Sequence, residues 1–157
     1  MGHESAVPSI VRLVKALQEA RIRFQVVGMS SAVLQGVPLM TLDTDLWIDL
    51  PERQYMRVMN ICAALGAQLN AKTVVTLEDG TLINFLYHVD GLASFGTEWR
   101  RAVSVELRGL KVKALPVERL IKSKELIRRP KDVAHLPYLY DFLAEKKLPR
   151  RAPRHTR

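Results

Sequence analysis

The order of apolar periods and turn signals along the chain predicts an α/β (α+β) domain, a mixed β-sheet flanked by helices and closed by two C-terminal helices. Three observations predict it. Short apolar strands alternate with helix-period segments through residue 65, and two hairpin turns follow at Glu78-Asp79-Gly80 and Arg108-Gly109. Residues 117–145 then read as two helices parted at Arg129-Pro130. A chain of 157 residues can bury one core of ordinary size, so residues 1–145 are expected to form a single domain and 146–157 a basic, disordered tail.

Taken in order, residues 5–21 place Val7, Ile10, Val11, Val14 and Leu17 at helical spacing. Phe24–Val27 is a strand, Ser30–Gln35 a short helix, and Gly36-Val37-Pro38 ends that helix, because glycine suits a C-cap and proline cannot continue. A second strand spans 44–50. Pro51 opens the next helix, whose stripe is Tyr55, Val58, Met59, Cys62 and Leu65, with Gly66 closing it. Thr73–Leu77 and Thr81–Val89 alternate as strands about the Asp-Gly turn, and Ala102–Leu107 with Leu110–Leu115 form a second hairpin. The last two helices cover about 117–128 and 131–145, since proline halts the first and starts the second.

Composition narrows the function classes. Hydrophobic residues make up 48% of the chain and charged residues 25%, the balance of a globular protein, and no apolar run approaches the roughly 20 residues that cross a bilayer. No membrane role is expected. Cys62 is the sole cysteine and the N-terminus lacks the basic-then-apolar layout of a secretory signal, so a cytoplasmic location is expected. The net charge of +8 resembles that of a nucleic-acid binder until it is located. Residues 146–157 hold six basic side chains and no acid, and residues 98–133 hold eleven basic and five acidic ones. The tail suits weak contact with nucleic acid, and equally a solubilising role. With four Phe, four Tyr and two Trp, no aromatic RNA-binding signature is present.

The chemistry concentrates in residues 24–50. On a strand, residues i and i+2 share a face about 6.5–7 Å apart, which puts Asp43, Asp45, Trp47 and Asp49 on one side and Thr44, Leu46, Ile48 and Leu50 on the other. Two carboxylates so spaced can hold magnesium or manganese, hard ions that keep waters and substrate phosphates in their shell. The Gly28-Met29-Ser30-Ser31 turn opens a helix, whose free N–H groups and partial positive charge suit a phosphate. Ser30 also reads as an N-cap and Gly28 as an ordinary turn glycine, while the aspartates also fit a solvent-facing strand edge.

Taken together, VVGMSSAVLQGVPLMTLDTDLWIDL resembles the signature of the nucleotidyltransferase superfamily with the DNA polymerase beta-like fold, in its small bacterial form: strand, Gly-Ser-type turn, helix, and Asp-x-Asp on the next strand. The resemblance runs through Gly28, Gly36, Pro38, Thr41, Asp43 and Asp45 and continues in ALPVERLIKSKELIRRPKDVAHL, similar to helices of abortive-infection and antitoxin-type members. It covers roughly residues 22–145. It implies transfer of a nucleoside monophosphate from a nucleotide triphosphate to a hydroxyl on a protein, an RNA end or a small molecule. Asp43 and Asp45 would hold the metal, Gly28, Ser30 and Ser31 would cradle the triphosphate, and Lys122, Lys124, Arg129 and Lys131 would supply further phosphate contacts.

The chain departs from the family pattern at three places. Met29 stands where a second small residue is common, and Leu39 where many members carry arginine. Asn84 occupies the position of the third carboxylate; its carbonyl can ligate a metal ion but cannot act as a base. His88 and Asp90 follow nearby as substitutes or as structural residues, and Asp132 reads as a first-turn helix residue. The alternative to an enzyme is therefore a catalytically impaired member that binds a nucleotide or a toxin-like partner protein, as an antitoxin-like component.

Overall fold

The computed structural model describes residues 7–147, so the expectations for residues 5–6 and 148–157 lie outside the described residues. The central strands form because their residues can be buried on both faces. In β1 (Phe24–Val27) all four residues are buried, and in β2 (Asp43–Ile48) Leu46, Trp47 and Ile48 are. Alternation then sends Phe24, Val26, Leu46 and Ile48 into one core and Val27 and Trp47 into the other. The first core is closed by α1 (Ser9–Glu19) and α3 (Tyr55–Ala64), with Leu13, Leu17, Val58 and Cys62 among the packed residues. The second is closed by α2 (Gly28–Leu34), α4 (Phe95–Arg101), α5 (Val117–Ile127) and α6 (Pro130–Lys147). Each fully buried Leu or Ile contributes about 1.5–3 kcal/mol, so both helical layers hold the sheet firmly.

Seven strands make one mixed sheet in the order β3-β4-β5-β2-β1-β7-β6. Here β3 is Gln68–Ala71, β4 Val74–Thr76, β5 Leu82–Leu86, β6 Val103–Leu107 and β7 Leu110–Ala114. β1 pairs antiparallel with β2, and β2 pairs parallel with β5, a register that sets Val27 opposite Asp45 and Asp45 opposite Asn84. Arg108 and Gly109 both have positive φ (50° and 89°), the turn that closes the β6–β7 hairpin in two residues.

The mixed sheet, its flanking helices and the two C-terminal helices agree with the sequence reading, and four elements differ from it. The strand expected over 81–89 ends at Leu86. It is followed by α4, whose N-cap Ser94 accepts a hydrogen bond from the Thr97 N–H (3.3 Å). β3 is a further strand at the sheet edge; all four of its residues are exposed, so no apolar alternation marks it. The last helix runs to Lys147 and contains Pro137, which removes one intrahelical hydrogen bond without ending it.

Candidate functional site

β1 passes directly into α2 at Gly28, whose φ of +62° is left-handed. A Cβ there would run into the Asp45 carboxylate, so glycine is what lets Asp45 lie against the start of the helix. Ser30 completes the joint: its hydroxyl donates to the Val27 carbonyl (2.8 Å) and accepts the Asp45 N–H (2.9 Å). The Ser31 hydroxyl donates to the Leu115 carbonyl (2.6 Å), which also accepts from Gln35 Nε2 (2.8 Å). Both serines are buried with their protons given to main-chain oxygens, and neither lines the cavity described below. The hydroxyls expected to cradle a phosphate here lock α2 onto the ends of β2 and β7.

On the next strands, Asn84 Nδ2 donates to Asp45 Oδ1 (3.3 Å), and the Thr41 hydroxyl donates to the Asp43 carbonyl (3.1 Å). Burial, and then the charge of Asp43, push the Asp45 carboxyl up to about 6, against the Asn84 hydrogen bond and the charges of Lys131 and Lys124. A second carboxylate beside a half-buried one concentrates negative charge that Lys131 and Lys124 offset only in part.

Asp43, Asp45 and Asn84 form one wall of a cavity of about 470 Å³, with Gly28, Met29 and Leu39 beside them. The facing wall comes from the α5–α6 corner: Lys124, Arg129, Lys131, Asp132 and His135. Arg128, at φ 52°, reverses the chain there. Asp132 is fully buried and organises this wall. Its carboxylate accepts from Lys124 Nζ (3.0 Å), from Arg129 Nε (2.8 Å) and from the Arg129 main-chain N–H (3.1 Å). The last bond is the helix-capping return of an acidic side chain to the residue that begins the helix. Burial raises this carboxyl, but the bonds from Arg129 and Lys124 outweigh it and hold it well below the usual carboxylate range. His135 Nδ1 lies 3.3 Å from Lys124 Nζ; an ammonium only donates, so this nitrogen accepts. Burial and the Lys124 charge lower the His135 pKa, consistent with a neutral ring.

Asp43, Asp45, Asn84, Gly28, Lys124, Arg129 and Lys131 are therefore brought to one cavity, whereas Lys122 is exposed and does not line it. His88 lies beyond the end of β5 rather than on it, paired with Asp90 (3.1 Å) at the cavity rim. Trp47, on the acidic face of its strand, is buried edge-on against Phe95 (centroids 5.4 Å apart) and fills the second core. The sequence reading missed the part played by Asp132 and His135. The available signal was the spacing of Arg129 and Asp132, three residues apart across a helix start.

Among the described residues, no cluster of three or more His, Cys, Asp or Glu side chains is placed to hold a metal ion. The donor set present is two hard carboxylates with an amide beside them. It fits magnesium or manganese whose remaining positions are filled by water and substrate phosphate, and such an ion would neutralise the Asp43–Asp45 charge.

Neither a protein-family model nor a curated protein matches the chain at the level of sequence. Solved structures do. ANT(2'')-Ia in complex with adenylyl-2''-tobramycin superposes with a TM-score of 0.57 at 17% identity, over 87% of this chain and 89% of that one. The lincosamide antibiotic adenylyltransferase LnuA, bound to lincomycin, gives 0.54 at 11% identity over 84% and 94%. An antigenic nucleotidyltransferase-like protein from Paracoccidioides brasiliensis gives 0.53 at 15% identity over 85% and 75%. The fold is that of nucleotidyltransferases.

Proposed function

We propose that the chain is a metal-dependent nucleotidyltransferase that moves a nucleoside monophosphate from a nucleotide triphosphate to a hydroxyl acceptor. One observation carries this reading: an acidic wall and a cationic wall face each other across a single cavity at the β1–α2 junction. Phosphoryl-type transfer is mostly positioning and charge neutralisation, and this arrangement supplies both. The acceptor oxygen would bond to the α-phosphorus as the bond to the bridging oxygen breaks; pyrophosphate leaves and the hydroxyl proton passes to solvent.

Asp43 and Asp45 would hold magnesium or manganese, which when bound supplies positive charge to the phosphate oxygens. The first N–H groups of α2 would face the triphosphate, and Lys124, Arg129 and Lys131 would bind its far end. Two of the solved structures of the same fold are of adenylylating proteins with antibiotic ligands, which supports a small-molecule hydroxyl over a protein or RNA acceptor.

Asn84 favours a second reading, a nucleotide-binding member without turnover, with a toxin-like protein as its partner. At the position beside Asp45 it offers an amide where a carboxylate would supply charge and a base. Labelled nucleotide triphosphates with magnesium or manganese and a panel of hydroxyl acceptors separate the two. Label transfer lost in Asp43→Ala with Asp45→Ala supports the enzyme. Saturable binding without transfer supports the second reading, and no binding overturns both.

A further inference from the structure

We propose that the chain carries a second binding site, for a phosphorylated planar ligand of the nucleotide class, in the cleft where β1 and β7 part. These strands run parallel but are in register at one pair only, Val26 with Ala114. Ahead of that pair a cavity of about 470 Å³ opens, as large as the first and sharing no residue with it. The two lie at opposite ends of β1, a strand of four residues that spans about 13 Å.

The lining divides by chemistry. Buried Ile22, Phe24 and Val112 and the half-buried indole of Trp99 form an apolar interior, while Arg21, Arg23, Lys111 and Lys113 supply four cations and no acid lines the cleft. Arg23 is bound to Asp49 (2.7 Å), and Glu106 stands opposite Lys111 across the β6–β7 hairpin. Among the described residues, Arg21, Lys111 and Lys113 have no carboxylate within ion-pair distance. Trp99 is stacked on Phe95 (centroids 5.5 Å apart, 25° between planes), which fixes its ring. The Arg23 guanidinium lies 5.3 Å from the indole centroid and the Lys113 ammonium 5.9 Å.

A phosphate alone would leave the apolar interior unfilled, and an apolar ligand would leave the cations unanswered. A planar ring joined to phosphate satisfies both, the ring against Trp99 and the phosphate among Arg21, Lys111 and Lys113. Such a unit comes either as a free nucleotide or within a single strand. This site also gives a use to the basic excess of residues 98–133 that the first cavity does not employ.

The test uses the full chain with Asp43→Ala and Asp45→Ala, in chelator, so that the first site's metal is removed from the measurement. Tryptophan fluorescence is titrated with AMP and with a short single-stranded oligoadenylate. Saturable quenching is expected, weakened about tenfold or more by Lys111→Ala with Lys113→Ala. Anisotropy of a labelled probe is expected to show about tenfold weaker binding for Trp99→Ala and near-normal binding for Trp99→Phe. Saturation by AMP assigns a free nucleotide, and saturation by the oligonucleotide alone assigns a strand. The proposal is overturned if neither probe saturates, if the lysine pair makes no difference, or if inorganic triphosphate competes as well as the nucleotide.

Discussion

Gly28 and Asp45 act as one unit, because the left-handed backbone of the first leaves the space that the carboxylate of the second occupies. Gly28→Ala adds both strain and a clash, so a loss of more than about 1 kcal/mol is expected, together with weaker nucleotide binding; thermal unfolding and a binding titration check it. At Asn84 the expected change runs the other way. Asn84→Asp adds a carboxylate beside Asp45, and the half-saturating magnesium concentration for nucleotide binding is expected to fall. Asp132→Asn leaves Lys124 and Arg129 without their shared counter-charge, a change expected to cost about 3 kcal/mol in denaturant unfolding. If folded enough to assay, that variant should show a raised nucleotide KM with a smaller change in kcat. The meeting of Asp43 and Asp45 was legible from strand period, and Asn84 was set beside them by the family resemblance. The role of Ser31 was not, because its partner carbonyl belongs to Leu115, 84 residues away.

Elements were legible in proportion to how one-sided their burial is. β1, the β6–β7 hairpin and α5 carry strong apolar periods or turn signals and fall within a residue or two of their expected limits. β3 was hidden because all four of its residues are exposed, and pairing with β4 rather than burial makes it a strand. α4 was hidden for a different reason. Seven residues give two turns, too few for a period to emerge, and the helix is held by a buried charge. Glu98 is fully buried and accepts from the Ala93 N–H (2.9 Å) and from Arg119 through both oxygens (2.9 and 2.7 Å). It thereby ties α4 to α5 across the second core. Glu98→Gln leaves Arg119 uncompensated and is expected to cost about 3 kcal/mol, with hydrogen exchange rising first in residues 93–101.

Across the whole molecule, the carboxylates pull stability in opposite directions with pH. Asp132 and Glu98 have lowered pKa values; for each, burial raises the carboxyl but bonds from the cations outweigh it. Their stabilisation is present above the ordinary carboxylate range and is lost as pH falls through it toward their folded values. Asp45, raised to about 6 from 3.8 by burial and by Asp43, has the reverse sign: its contribution is full below pH 3.8 and is lost as pH rises through 6. His135, lowered by burial and by Lys124, adds stability as pH rises through the ordinary histidine range and so masks Asp45 in the wild-type profile alone. The difference between wild type and Asp45→Asn removes that overlap. In chelator, the stability of wild type relative to Asp45→Asn is expected to fall by about 1 kcal/mol between pH 5 and pH 7. Millimolar magnesium should cancel most of that fall in wild type only, because an ion held by Asp43 and Asp45 supplies the charge the empty pair lacks. A difference that stays flat with pH, or that magnesium leaves unchanged, would remove the metal from the proposed site while leaving the fold as described.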